Sequence, residues 1–257
     1  MDLRKSLRNL TDEEINNLRT GYARMMEISD NRGYNYIAGF HGVPGWYCWH
    51  HQRNTHLVQR ARLFLPWHRA YLYRFEQTVQ DQLAGVAIPW WDWSSDISRS
   101  EGIPKVFSDK TSNGKPNPLY TFHMDVPSGR RPLDSNTVRA LGNPADLPTP
   151  EEIQNLYELT DFGDFNDGLE DIHDRIHVWV GGSMAEVATA AYDPIFWSHH
   201  CMIDRIWWLW QLRNGNSGMP PDLLDLILEP FNLTVRNVLS IYDLGYDYAS
   251  SQVSVTS

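Results

Sequence analysis

LEDIHDRIHVWVGG, residues 169–182, sets two imidazoles four positions apart in an apolar-periodic segment that Gly181 and Gly182 bring to an end. Residues i and i+4 share a face of an α-helix, so His173 and His177 can direct their ring nitrogens toward one point. Ile172, Ile176 and Val180 recur beside them at helical spacing and help to exclude water. The segment predicts a helix over 168–180 that carries two donors of the kind a metal ion takes. The same spacing also occurs on helices without metal, where each ring joins a polar network. The surroundings of the other eight histidines decide between these readings.

Four further stretches have helical character. Thr11 followed by Glu14 has the form of a capping box, and Ile15, Leu18, Tyr22 and Met25 continue at helical spacing, predicting a helix over 12–28. LFLPWHRAYLYRFEQTVQDQL reads as an extended approach followed by a helix over 67–83, with His68 in its first turn. Thr149 caps a helix over 150–160 that has Pro150 at its first position. Asp193-Pro194 heads the helix PIFWSHHCMIDRIWWLWQLR, which ends before the turn-like NGNSG. Loops are expected around Pro44, over 50–56 and through most of 100–150, with room for a short hairpin in the last. The fold class that follows is mainly α, a four-helix bundle core with long irregular loops, in a single domain over 1–257.

His199 and His200 stand among aromatics in FWSHHCMIDRIWW, where a charged imidazolium would be costly and a neutral ring bound to metal would satisfy its lone pair. At least one of the two is expected to be a ligand. His68 stands between LFLP and AYLY, and His41 where an apolar element meets GVPG. Each alone reads as readily as a hydrogen-bonded core histidine. Together His41, His68, His173, His177, His200 and one histidine of the 50–56 cluster supply six nitrogens, more than one tetrahedral ion takes. Six neutral imidazoles without a thiolate or bridging carboxylate argue for two three-coordinate ions and against a dizinc or di-iron centre. Copper suits such sites, and a pair of copper ions exchanges two electrons with dioxygen.

The composition bounds the partners. Of 257 residues 42% are apolar, and 11 Trp, 12 Tyr and 9 Phe give an aromatic interior able to close around a buried site. The formal charge of −10, with no basic stripe, argues against nucleic acid and anionic membrane surfaces as partners. Only Cys48 and Cys201 are present, so no disulfide framework is expected. The opening residues carry no apolar run of signal-peptide length, and the expected location is the cytoplasm.

HGVPG, LFLPWHRAYLYRFE, EDIHDRIHVWVGG and YDPIFWSHHCMIDRIW resemble the signatures of the type-3 copper proteins: tyrosinases, catechol oxidases, aminophenol oxidases and haemocyanins. The similarity spans about 35–210, and YDLGYDY at 242–248 resembles the tyrosine-containing segment that closes the core domain in that family. The resemblance implies a copper oxidase of the bacterial single-domain type, with two copper ions as cofactors. Dioxygen, small phenols and o-diphenols are the implied small partners. A separate copper-delivery protein and a homodimer formed through Trp-rich loops stay open as further partners.

Residue by residue, the resemblance matches His41 and His68 to the first and third ligands of one copper, and His173, His177 and His200 to the three ligands of the other. The middle ligand of the first site is less direct, because the position nine residues before His68 is Gln59, a poor copper ligand. CWHH resembles the Cys-x-His of members in which a cysteine forms a thioether with this ligand, favouring His50, with His51 next and His56 more distant. Asp204 and Arg205 resemble the family's DR pair and could orient a ligand, or could anchor a neighbouring helix. Arg69 is expected in a buried ion network. Glu170 matches an acid that holds a water near the second copper, and Asp174 stands where hydroxylating members have Asn. Val187 stands where plant catechol oxidases carry a Phe over the second copper, so a more open entrance is expected.

Overall fold

The computed structural model describes residues 1–48, 62–127 and 133–250. Four long helices carry the architecture: α1 (Asp12–Met26), α3 (Phe64–Gln82), α5 (Phe162–Val180) and α6 (Ile195–Asn214). The shorter α2 (Tyr34–Ala38) and α4 (Pro150–Tyr157) lie between them in sequence. Helix α3 is the hub, packing against α1, α5 and α6. It is buried along most of its length, including Phe64, Trp67, His68, Arg69, Tyr71 and Phe75. This mainly helical bundle with long loops is the expected class.

Local chemistry explains where the helices begin. Thr11 and Glu14 form the expected capping box, with the hydroxyl accepting from Glu14 N–H at 3.2 Å and the carboxylate from Thr11 N–H at 2.8 Å. Thr149 and Glu152 repeat the device at α4, at 3.1 and 2.7 Å. Each box satisfies two donors that the first turn leaves open.

Two helices begin earlier than the sequence pattern suggested. Helix α3 starts at Phe64, so Phe64–Pro66 are helical and not an extended approach. Pro66 is tolerated there because first-turn N–H groups have no partner inside the helix. Helix α5 starts at Phe162, six residues before the expected 168, because Asp161 Oδ1 accepts from the N–H groups of Gly163 and Asp164. Gly168 lowers local helix propensity and obscured this extension. A Cβ there would stand 2.9 Å from Leu156 Cδ2 of α4, so a larger residue would have to shift that side chain.

The sheet content is small and pins ends and loops. β1 (Asp2–Arg4) pairs in parallel with β4 (Tyr246–Tyr248), joining the two ends of the described chain. β2 (His123–Val126) and β3 (Leu133–Asn136) form an antiparallel pair, the hairpin foreseen in the 100–150 region. Among the described residues, no helix is long and apolar enough to cross a membrane.

Candidate metal centre

The imidazoles come from four places in the chain: His41 just after α2, His68 in α3, His173 and His177 in α5, and His200 in α6. They converge. The rings of His68 and His200 stack at 4.2 Å between centroids with 9° between planes. His173 lies 4.4 Å from His177, 4.9 Å from His200 and 5.9 Å from His68, while His41 lies 5.7 Å from His68. Candidate ligand atoms form two groups, each within 4.8 Å: His41, Cys48 and His68, and His173, His177, His199 and His200. His50 and His51, like His56 and Gln59, lie outside the described residues.

Hydrogen bonds aim several of these rings. His41 Nδ1 lies 3.1 Å from the Val187 carbonyl, His68 Nδ1 2.9 Å from the Phe64 carbonyl, and His177 Nδ1 2.8 Å from the Met184 carbonyl. A carbonyl can only accept, so each Nδ1 carries a proton, which leaves Nε2 as the ring nitrogen able to bind a metal. His173 Nδ1 meets the exposed Asp174 carboxylate at 3.0 Å, a pairing that sequence reasoning did not foresee for Asp174. Phe64 and Phe196, both fully buried, wall the cluster. Phe64 sits 4.7 Å from His173, and Phe196 sits 4.2 Å from His200 and 5.1 Å from His41.

The donor set fits a metal pair. Burial, reinforced by the neighbouring imidazoles, holds His199 and His200 well below the ordinary histidine range, so both rings are neutral. Neither ring nitrogen of either residue has a hydrogen-bond partner among the described residues. Buried neutral lone pairs left in this way are the groups that a soft or borderline cation satisfies. The sequence surroundings pointed to at least one of His199 and His200, and the family resemblance matched only His200 to a ligand, whereas the structure places both in this group. Cys48 is buried with its Sγ 3.7 Å from His68 Nε2, and burial together with Glu170 and Asp174 pushes its thiol well up.

The carboxylates differ in role. Glu170 is half-buried, and desolvation, followed by repulsion from Asp174, Asp167 and Asp171, raises its carboxyl to about 8. Asp204 does not orient His200. It is buried in an ion network with Arg69 at 2.5 Å and Arg4 at 3.1 Å, and both Tyr246 and Tyr248 donate to it. Burial alone would raise its carboxyl, but Arg69 and Arg4 outweigh that effect and hold it below the usual range. Of the two readings of Asp204, the helix-anchoring one describes these contacts, and Arg69 lies in the buried network expected for it.

A pocket of about 230 Å³ lies against the histidines, lined by His41, His173, His177, Asp174, Val178, Met184, Ala185, Val187 and Ala190. It reaches the surface, since Asp174 and Val178 are exposed. The larger groove of the molecule, about 980 Å³ beside Tyr36, Phe40 and Tyr47, contains none of the clustered imidazoles.

Two adjoining groups of ligand atoms, His41, Cys48 and His68 beside His173, His177, His199 and His200, fit a binuclear metal protein of the type-3 copper class. The family described as the common central domain of tyrosinase matches residues 31–213. A tyrosinase of Streptomyces antibioticus is 30% identical over 277 residues, covering 96% of this chain and 99% of that protein. Unit D of the Helix pomatia haemocyanin beta-C chain is 30% identical over 272 residues, covering 95% of this chain and 62% of that protein. The solved functional unit of an octopus haemocyanin superposes with a TM-score of 0.80 at 28% identity, covering 97% of this chain and 68% of that one. The chain belongs to the tyrosinase family, whose centre holds two copper ions.

Proposed function

We propose that this chain is a tyrosinase, hydroxylating monophenols and oxidising o-diphenols to o-quinones with dioxygen. His41 and His68 would hold one copper, with a third ligand from His50 or His51, and His173, His177 and His200 would hold the other. When bound, the copper pair supplies the electrons exchanged with dioxygen and phenol.

The chain's own groups do the rest. The carbonyls of Val187, Phe64 and Met184 keep the Nδ1 proton on His41, His68 and His177 and so turn Nε2 toward the centre. Phe64 and Phe196 exclude water from the rings. By the family resemblance Glu170, one turn before His173 on α5, takes the phenolic proton; burial raises its carboxyl, and cations in the site favour the carboxylate form that this role needs.

The observation that carries the enzyme reading is the pocket over His41, His173 and His177. Its wall of Ala185, Val187 and Ala190 is made of small side chains that leave space for an aromatic ring. An oxygen carrier gains by covering that approach.

Oxygen uptake with tyramine and with its catechol counterpart tests the proposal. Turnover of both is expected from protein loaded with two copper ions per chain. Diphenol turnover alone would reduce the activity to that of a catechol oxidase or o-aminophenol oxidase. Reversible oxygen binding with negligible turnover would make the chain a haemocyanin-like carrier. Activity regained with a simple copper salt would show that a copper-delivery protein is dispensable for loading.

A further inference from the structure

The ion pair between Arg69 and Asp204 sits in a distinctive place relative to the histidines. Arg69 directly follows His68 on α3, and Asp204 follows His200 by four residues, on the same face of α6. His68 and His200 are the closest-stacked pair between the two donor groups, at 4.2 Å. Any slide or rotation of α3 against α6 therefore moves the two groups relative to one another.

Arg69 resists that movement at several points. Its Nε donates to Asp204 Oδ1 at 2.5 Å, its Nη1 to Gln211 Oε1 at 2.9 Å, and its guanidinium lies 3.6 Å over the Trp207 ring. Asp204, Trp207 and Gln211 follow one another along α6 at helical spacing, so one planar cation grips successive turns. Its Nη1 also donates to the Val238 and Leu239 carbonyls at 3.1 and 3.0 Å. Both charged side chains are buried, which strengthens the pairing and removes the slack that solvent would allow.

We propose that Arg69 and Asp204 are positioning residues that set the separation of the two metal sites by locking α3 to α6 beside His68 and His200. The proposal rests on the ligand assignment above. Two oxidised copper ions held at bridging distance couple their spins and give almost no electron paramagnetic resonance signal, whereas ions held further apart become visible. That signal reports separation and is independent of turnover.

The experiment compares copper-loaded wild type with Arg69→Lys, Asp204→Asn and Tyr246→Phe, recording copper per chain, melting temperature and paramagnetic signal. Lysine keeps the charge but loses the fork. Asparagine keeps the shape of the carboxylate and decides the matter if the lysine variant does not fold. Tyr246→Phe removes a 2.7 Å hydrogen bond to Asp204 from the β4 side and leaves the α3–α6 contact intact. The expected result is two copper ions in every variant, a signal at least several-fold above wild type in Arg69→Lys and Asp204→Asn, and none gained in Tyr246→Phe. Two-copper Arg69→Lys or Asp204→Asn that stays as silent as wild type would overturn the strut. So would Tyr246→Phe uncoupling the ions as much as Arg69→Lys at a similar loss of melting temperature. Wild type holding fewer than two copper ions would overturn the ligand assignment as well.

Discussion

The same helices present two polar regions of opposite design. Around Asp204, Arg4 pairs with Glu76 and Asp204, Arg69 reaches Asp204, Gln211 and two carbonyls, and Tyr246 and Tyr248 complete the shell. Around His200, a few ångströms along α6, four ring nitrogens of His199 and His200 have no hydrogen-bond partner among the described residues. One region is satisfied by the protein itself; the other retains lone pairs for something the protein binds. The contrast teaches that burial of polar groups serves stability in the first region and ligand capture in the second.

Asp204→Ala should break the first region most severely. It leaves Arg4 and Arg69 buried without their shared carboxylate, and removing one partner of a buried pair typically costs about 3–5 kcal/mol. Denaturant unfolding of the metal-free chain measures this; a loss below about 1 kcal/mol would contradict the central role given to Asp204.

His200→Leu should act in the opposite sense on the metal-free chain. It removes a buried ring whose unsatisfied polar atoms carry a penalty of about 1–3 kcal/mol. The variant should melt no lower than wild type without copper and hold at most one copper ion, as thermal melts and metal analysis would reveal. A large loss of metal-free stability would erase the distinction between the regions.

Glu170, one turn before His173 on α5, gives a pH signature of intermediate size. The Glu170 carboxyl is raised to about 8 in the fold, against about 4.5 for the free group. The folded state therefore binds the extra proton between these values, and the metal-free chain should lose stability as pH rises through that window. Melts recorded from pH 5 to 9 should show this slope, and Glu170→Gln should flatten it.

Val187→Phe should produce the smallest structural effect. The added ring would enter a pocket of about 230 Å³ and raise KM for bulky phenols by roughly tenfold, with less change for small ones. Equal KM for both substrate sizes would place the substrate elsewhere.

Local sequence carried much of this fold. The Thr11–Glu14 and Thr149–Glu152 boxes announced two helices because the reciprocal bonds involve residues only three apart. The early start of α5 was hidden because Gly163 and Gly168 weaken the helical pattern, while the Asp161 cap that starts the helix lies before both. The Met184 and Val187 carbonyls that aim His177 and His41 gave no signal at all, since every residue carries a carbonyl.

By itself the sequence determined that His173 and His177 share one face, because helix geometry alone relates positions four apart, and that buried neutral imidazoles outnumber what one ion needs. Only the tertiary structure decided that His68 stacks on His200, that His199 joins the second group, and that Asp204 serves Arg69 and Arg4 instead of a ligand ring. The physical reason is range: Arg69 and Asp204 stand 135 positions apart, and a contact of that separation is chosen by how helices pack, which no local spacing encodes.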